Sequence, residues 1–150
     1  MLSVGDHFPT FTLADQSGKT VSLTDLTGSK SVIYFYPKDD TPGCTAEACD
    51  FQSYMADFAG AKVIGVSPDS VLKHIKFADK YGLKFPLLAD PEKLLITACG
   101  LWKEKSFMGK KYMGVERTTY VLDENGIIVK IFDKVNPIGH AKDVAAYLGS

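Results

Sequence analysis

What this chain lacks narrows it first. It has only three cysteines in 150 residues, and none forms a C-x-x-C pair. That excludes a disulfide-stapled scaffold, and a chain of this length can bury enough core without one. Neither the cysteines nor the scattered His7, His74 and His140 have zinc-ligand spacing, so no metal or other cofactor is expected. No apolar run approaches the roughly 18 residues of a membrane span. The opening Met1-Leu2-Ser3-Val4-Gly5-Asp6 has no basic region leading into an apolar one. A cytoplasmic protein without membrane partner is therefore expected. There is no surplus of cations either: 17 Lys+Arg face 18 Asp+Glu, for a net charge of −1. Nucleic-acid binders usually show the opposite balance. Arginine is nearly absent, with Arg117 standing alone beside 16 lysines. No repeat, biased tract or linker interrupts the chain, so one domain over residues 1–150 is expected.

The hydrophobic pattern supplies the element order. Residues 10–13 and 20–23 read as short strands around Asp15-Gln16-Ser17-Gly18, an N-terminal hairpin. Residues 31–36 (Ser-Val-Ile-Tyr-Phe-Tyr) form an apolar, β-branched and aromatic run, as a strand buried on both faces does. A helix follows, with Thr41 as N-cap and Pro42 at the first helical position. Phe51, Tyr54, Met55 and Phe58 form its apolar stripe, and Gly60 closes it. Residues 62–66 are a second buried strand. Residues 70–81 are a helix ended by Gly82. Residues 85–89 are a strand and 91–99 a short helix. Residues 101–115, with four Lys and two Gly, read as an exposed loop. Strands at 117–122 and 127–132 flank Asp123-Glu124-Asn125-Gly126, and Ala141, Val144, Ala145 and Leu148 mark a last amphipathic helix. The order predicts an α/β fold: a mixed central sheet, right-handed parallel crossovers and helices on both faces.

Cys44 carries the chemistry. With Thr41 as N-cap it sits at N3, among unpaired N–H groups at the positive end of the helix dipole, where a thiolate is stabilised. The competing reading is a buried structural cysteine. Pro42-Gly43 ahead of it favours function, because glycine leaves the backbone open to close approach. Cys49 lies five residues on, and its functional reading is a partner thiol. Five helical residues advance about 7.5 Å and rotate about 140°, for a Cα separation of roughly 8–9 Å. A disulfide tolerates at most about 7 Å. A bond between the two is therefore closed to an intact helix and requires local unwinding.

The segment Tyr34-Phe35-Tyr36-Pro37-Lys38-Asp39-Asp40-Thr41-Pro42-Gly43-Cys44-Thr45-Ala46-Glu47-Ala48-Cys49 resembles the active-site segment of the peroxiredoxins. Their Pro-x-x-x-Thr-x-x-Cys signature falls on Pro37, Thr41 and Cys44. The Cys-x4-Cys spacing and Trp102-Lys103-Glu104-Lys105-Ser106-Phe107-Met108-Gly109-Lys110 are similar to the bacterioferritin-comigratory-protein (PrxQ) subfamily, and the resemblance spans essentially the whole chain. It implies a thioredoxin fold with an N-terminal hairpin and a thiol peroxidase acting on hydrogen peroxide and organic hydroperoxides. It makes Cys44 the peroxidatic nucleophile and Cys49 the resolving thiol. Thr41 would hydrogen-bond the thiolate and the peroxide, Pro37 would shield the site from water, and Arg117 would be the family's essential arginine. A lone Arg among lysines fits that role, because a merely solvated charge has no reason to be Arg. Thioredoxin or a similar dithiol would be the reductant.

The chain lacks the Gly-Gly-Leu-Gly insert and C-terminal Tyr-Phe helix of inhibitable members, and a distant resolving cysteine. Resolution within one subunit, and a monomer, are therefore expected. Cys99 reads as a buried structural thiol. Two other functions compete. A thiol–disulfide oxidoreductase on this fold favours C-x-x-C and an X-Pro bond where this chain has Glu116-Arg117-Thr118-Thr119. A non-enzymatic redox sensor wants an extra domain or tail to transmit its signal.

Overall fold

The computed structural model describes all 150 residues. Strands β1 (Thr12–Ala14) and β2 (Thr20–Ser22) pair antiparallel around the expected turn, with Leu13 opposite Val21. Every residue of β3 (Ser31–Phe35) is buried. Helix α1 (Pro42–Tyr54) follows with Thr41 as N-cap and Pro42 first. It is shorter than its apolar stripe suggested. The last turn tightens to 3-10 over Met55–Asp57, and Ala59 and Gly60 both have positive φ, so Gly60 closes a turn after the helix.

Strand β4 (Lys62–Ser67) runs parallel to β3. Helix α2 (Val71–Tyr81) is capped as its sequence predicts. Ser70 accepts the N–H of Lys73, and Gly82 takes the left-handed conformation at φ 65°. Strand β5 (Leu87–Ala89) pairs parallel with β4. Helix α3 (Leu94–Ala98) starts late, because the Asp90 carboxylate takes the N–H groups of Leu94 and Ile96 at 3.0 and 2.9 Å.

The expected loop over residues 101–115 is instead a hairpin, β6 (Trp102–Phe107) and β7 (Lys110–Val115). Its two-residue turn, Met108 at φ 51° and Gly109 at φ 80°, has the mirror-image geometry that hairpins favour. Both of its faces are largely open to solvent. No apolar-in, polar-out alternation is therefore written into it, and methionine stands where Asn, Asp or Gly usually marks such a turn.

Strands β8 (Thr118–Leu122) and β9 (Ile128–Phe132) complete a five-stranded mixed sheet in the order β5-β4-β3-β8-β9, and α4 (His140–Gly149) ends the fold. Alternate residues of β3 separate the core into two layers. Ile33 and Phe35 pack with Phe8, Phe11, Leu95 and Ile96 on the side of the first hairpin and α3. Val32, Tyr34 and Tyr36 pack with Phe51, Phe77 and Val144 of α1, α2 and α4. The Tyr34 ring stacks on Phe51 at 4.4 Å, which fixes α1 over the centre of the sheet. The architecture is the thioredoxin-type α/β fold expected. No helix is long and apolar enough to cross a membrane.

Candidate active site

Two chain segments converge at one end of β3. The first is the turn leaving β3, which delivers α1 and, at its third position, Cys44. The second is the start of β8. The antiparallel register sets Phe35 opposite Thr118, so the residue entering β8 lies beside the exit from β3. That residue is Arg117. Its carbonyl accepts the N–H of Val135 at 3.0 Å, which anchors it from the far side.

The guanidinium bridges two groups of α1. Nη2 donates to Cys44 Sγ at 3.0 Å, and Nη1 donates to Glu47 Oε1 at 2.9 Å. Cys44 and Glu47 lie three apart, on one helix face. Both are about 1% exposed. A planar fork can serve two acceptors at once, whereas a lysine ammonium is a single point charge. Glu47 is only half satisfied, since its Oε2 is buried with no partner. Burial pushes its carboxyl up to about 7, against the opposing pull of Arg117.

Gly43 explains itself here. A Cβ at that position would lie 3.0 Å from Arg117 Nη2 and 3.4 Å from Pro137 Cγ. The close approach is thus made by the guanidinium that touches the sulfur.

Thr41 stands on the turn that leads into Cys44. Its hydroxyl donates to the Lys38 carbonyl at 2.9 Å and makes no cap bond to the helix. The N–H groups of the first turn are therefore left without a side-chain cap. Pro37 lies half-buried at the head of the same turn.

Cys49 shares α1 with Cys44, and all three cysteines are free. The Cys49 thiol is half-buried, and its pKa is raised by burial and then by Asp50. Cys99 lies apart, in the layer beneath the other sheet face, where burial and then Asp90 push its thiol up to about 12. A thiol so far from ionisation is chemically quiet at neutral pH. Cys99→Ser is expected to leave peroxide turnover within about twofold, a surface-like effect, in a steady-state assay. A large loss would place Cys99 in the cycle.

The family model described as AhpC/TSA family matches residues 4–131. Peroxiredoxin Bcp of Bacillus subtilis is 46% identical over 144 residues, covering 95% of this chain and 92% of that one. The chain belongs to the peroxiredoxins, in the Bcp/PrxQ branch. Solved structures agree. A cysteine-to-serine variant of Xylella fastidiosa PrxQ superposes with a TM-score of 0.92 at 34% identity, covering 99% of this chain and 96% of that one. Bacterioferritin comigratory protein of Xanthomonas campestris, trapped with intermediate and ligand, gives 0.86 at 43% identity, with 92% and 89% covered.

This peroxiredoxin is thus a thiol-dependent peroxidase. Of its candidate site residues, the fold brings Cys44 and Arg117 into direct contact and places Thr41 and Pro37 on the turn beside them. Cys49 is held one and a half turns away. Glu47 was not singled out by sequence reasoning. The available signal was its spacing of three from Cys44, which puts a carboxylate on the face of the nucleophile.

Proposed function

We propose that Cys44 reduces hydrogen peroxide and alkyl hydroperoxides, that Cys49 resolves the product, and that a dithiol protein such as thioredoxin restores both. The observation that carries this reading is the guanidinium of Arg117 at 3.0 Å from the Cys44 sulfur. The Cys44 thiolate attacks the terminal peroxide oxygen. The O–O bond breaks, an S–O bond forms, and the departing alkoxide or hydroxide takes up a proton and leaves as alcohol or water. Negative charge moves from sulfur to the leaving oxygen, and a fixed cation with spare N–H donors stabilises both ends. The N–H groups at the start of α1 have no side-chain cap, and a helix start so left open favours negative charge nearby. The alkyl substrates draw support from the Xanthomonas protein, whose structures address alkyl peroxide reduction.

The sulfenic acid then condenses with Cys49, giving a disulfide and water. Five residues of intact helix keep the two sulfurs' backbones too far apart. The first turns of α1 must open, at a local cost well below that of global unfolding. Exchange with an external dithiol returns both thiols. This cycle needs one copy of the chain, and we place it in a monomer of the cytoplasm.

Cys49→Ser tests the second half of the cycle. After one equivalent of peroxide, its mass should rise by oxygen, as sulfenic acid and then higher oxides, instead of falling by two hydrogens. In the wild-type disulfide form, amide exchange across residues 45–51 should be faster than in the reduced form. A disulfide form that protects this segment as well as the reduced form does would refute resolution by unwinding.

A further inference from the structure

The turn that carries Thr41 is held from behind by a buried polar network that the chemistry above leaves unused. Asp39 is 8% exposed and His74 fully buried, although they lie 35 residues apart. One Asp39 carboxylate oxygen accepts the Tyr36 hydroxyl, and the other lies against His74 Nδ1. His74 Nε2 meets the Leu88 carbonyl at 3.0 Å, and since a carbonyl only accepts, Nε2 carries a hydrogen. The backbone N–H of Asp39 donates to Asp69 Oδ2 at 2.7 Å, an oxygen that also receives the Ser67 hydroxyl at 2.8 Å. The next residue, Asp40, is in the left-handed region at φ 57° and accepts the Tyr81 hydroxyl at 2.7 Å and the Lys80 ammonium at 3.0 Å. Residues 39 and 40 are thus tied to α2 and to the end of β4.

Assembling such a network is expensive, because every polar group buried in it gives up its water and must be held by a partner inside the protein. What it does supply is a defined position. Thr41, the N-cap of α1, is one residue beyond the tied pair, and Cys44 is three beyond Thr41. We infer that the His74–Asp39 pair is a clamp that fixes the upstream edge of the unwinding segment, so that the start of α1 returns to the same place beside Arg117 in every cycle. His74 is then a positioning residue acting through Asp39. The inference rests on the proposed cycle of Cys44 and Cys49.

The test separates the two chemical steps by rapid mixing, following oxidation of Cys44 first and disulfide formation second. His74→Leu and Asp39→Ala each release the clamp. Both should slow oxidation of Cys44 about tenfold or more, since displacement of a reacting group by about 1 Å can cost up to 10²-fold. Condensation with Cys49 should be unchanged or faster. Asp39→Asn is the rescue. Its amide can accept from Tyr36 and donate to the bare Nδ1 of a neutral His74, which restores the bond without the charge. That variant should oxidise at close to the wild-type rate.

Amide exchange supplies a readout independent of peroxide. In His74→Leu, residues 39–45 should exchange faster while β3 and β4 stay protected. In the wild type, the His74 ring signals should be the same in the reduced and disulfide forms. Unchanged exchange at residues 39–45 in His74→Leu would overturn the clamp, and so would Asp39→Asn as slow as Asp39→Ala. Failure of the wild-type Cys44 to react with peroxide would instead overturn the assignment of the nucleophile, with the exchange data still judging the clamp.

Discussion

Cys44→Ser should leave no peroxide turnover above the uncatalysed background. The side chain is about 1% exposed, and the substitution changes one atom, so the fold and the Arg117 contact have little reason to change. The reacting species is what is lost. A thiol yields its anion within reach of neutral pH, whereas an unassisted serine hydroxyl does not, and no histidine contacts Cys44 to act as its base. Nor can oxygen take the place of sulfur in a sulfenic acid. The assay couples peroxide to thioredoxin and its reductase, with circular dichroism confirming the fold. Residual turnover above about one part in a hundred would move the nucleophile elsewhere in the chain.

Arg117→Lys should lower the rate of Cys44 oxidation by about 10²-fold or more, the scale of losing one preorganised transition-state donor. The formal charge is kept, so a purely coulombic role would survive the change. Geometry is what fails. Arg117 reaches Cys44 Sγ and Glu47 Oε1 from two nitrogens of one plane, at 3.0 and 2.9 Å. A lysine ammonium cannot hold both positions with the same rigidity. If it turns to the sulfur, Glu47 is left with both oxygens unpartnered in a buried site, since Oε2 already lacks a partner. If it turns to Glu47, the sulfur loses its donor. The loss should fall on the reaction with peroxide and spare reduction of the disulfide by an external dithiol. A rate near wild type would mean that the fork contributes nothing to the reaction with peroxide.

Much of this fold could be read in advance, for identifiable reasons. The buried strands β3 and β4 announce themselves as apolar runs, because both of their faces are covered. Helix α2 carries its start and stop in Ser70 and Gly82. The hairpin of β6 and β7 was not legible, because its pairing, Lys105 with Tyr112 and Glu104 with Met113, leaves no burial pattern behind.

The site was legible where local sequence determines it. Thr41, Pro42 and Cys44 fall into place from helix capping alone. Glu47 and Asp39 were opaque because a carboxylate near a helix start is ordinarily solvated, and the partners that bury these two lie 70 and 35 residues away. His74 did leave a trace. With Phe77, Ala78 and Tyr81 it occupies positions i, i+3, i+4 and i+7 of α2, so it stands in the apolar stripe where a histidine must find a buried partner.

The pairing of Phe35 with Thr118 has a consequence for how the enzyme renews itself. In the proposed cycle one half of the reacting pair rides on a helix that has to come apart, while the other is seated at the mouth of a sheet strand that does not. Each turnover of that cycle would dismantle only the cysteine's side of the site. Arg117 waits as a fixed post, and the returning helix docks against it as a key returns to its ward. Reassembly then involves one short segment finding a surface already in place, which keeps the search local and its product singular. An insertion of one residue between Arg117 and Thr118 would undo this at a stroke, because it moves Arg117 one place back from β8, and along extended chain a shift of one residue turns a side chain to the opposite face.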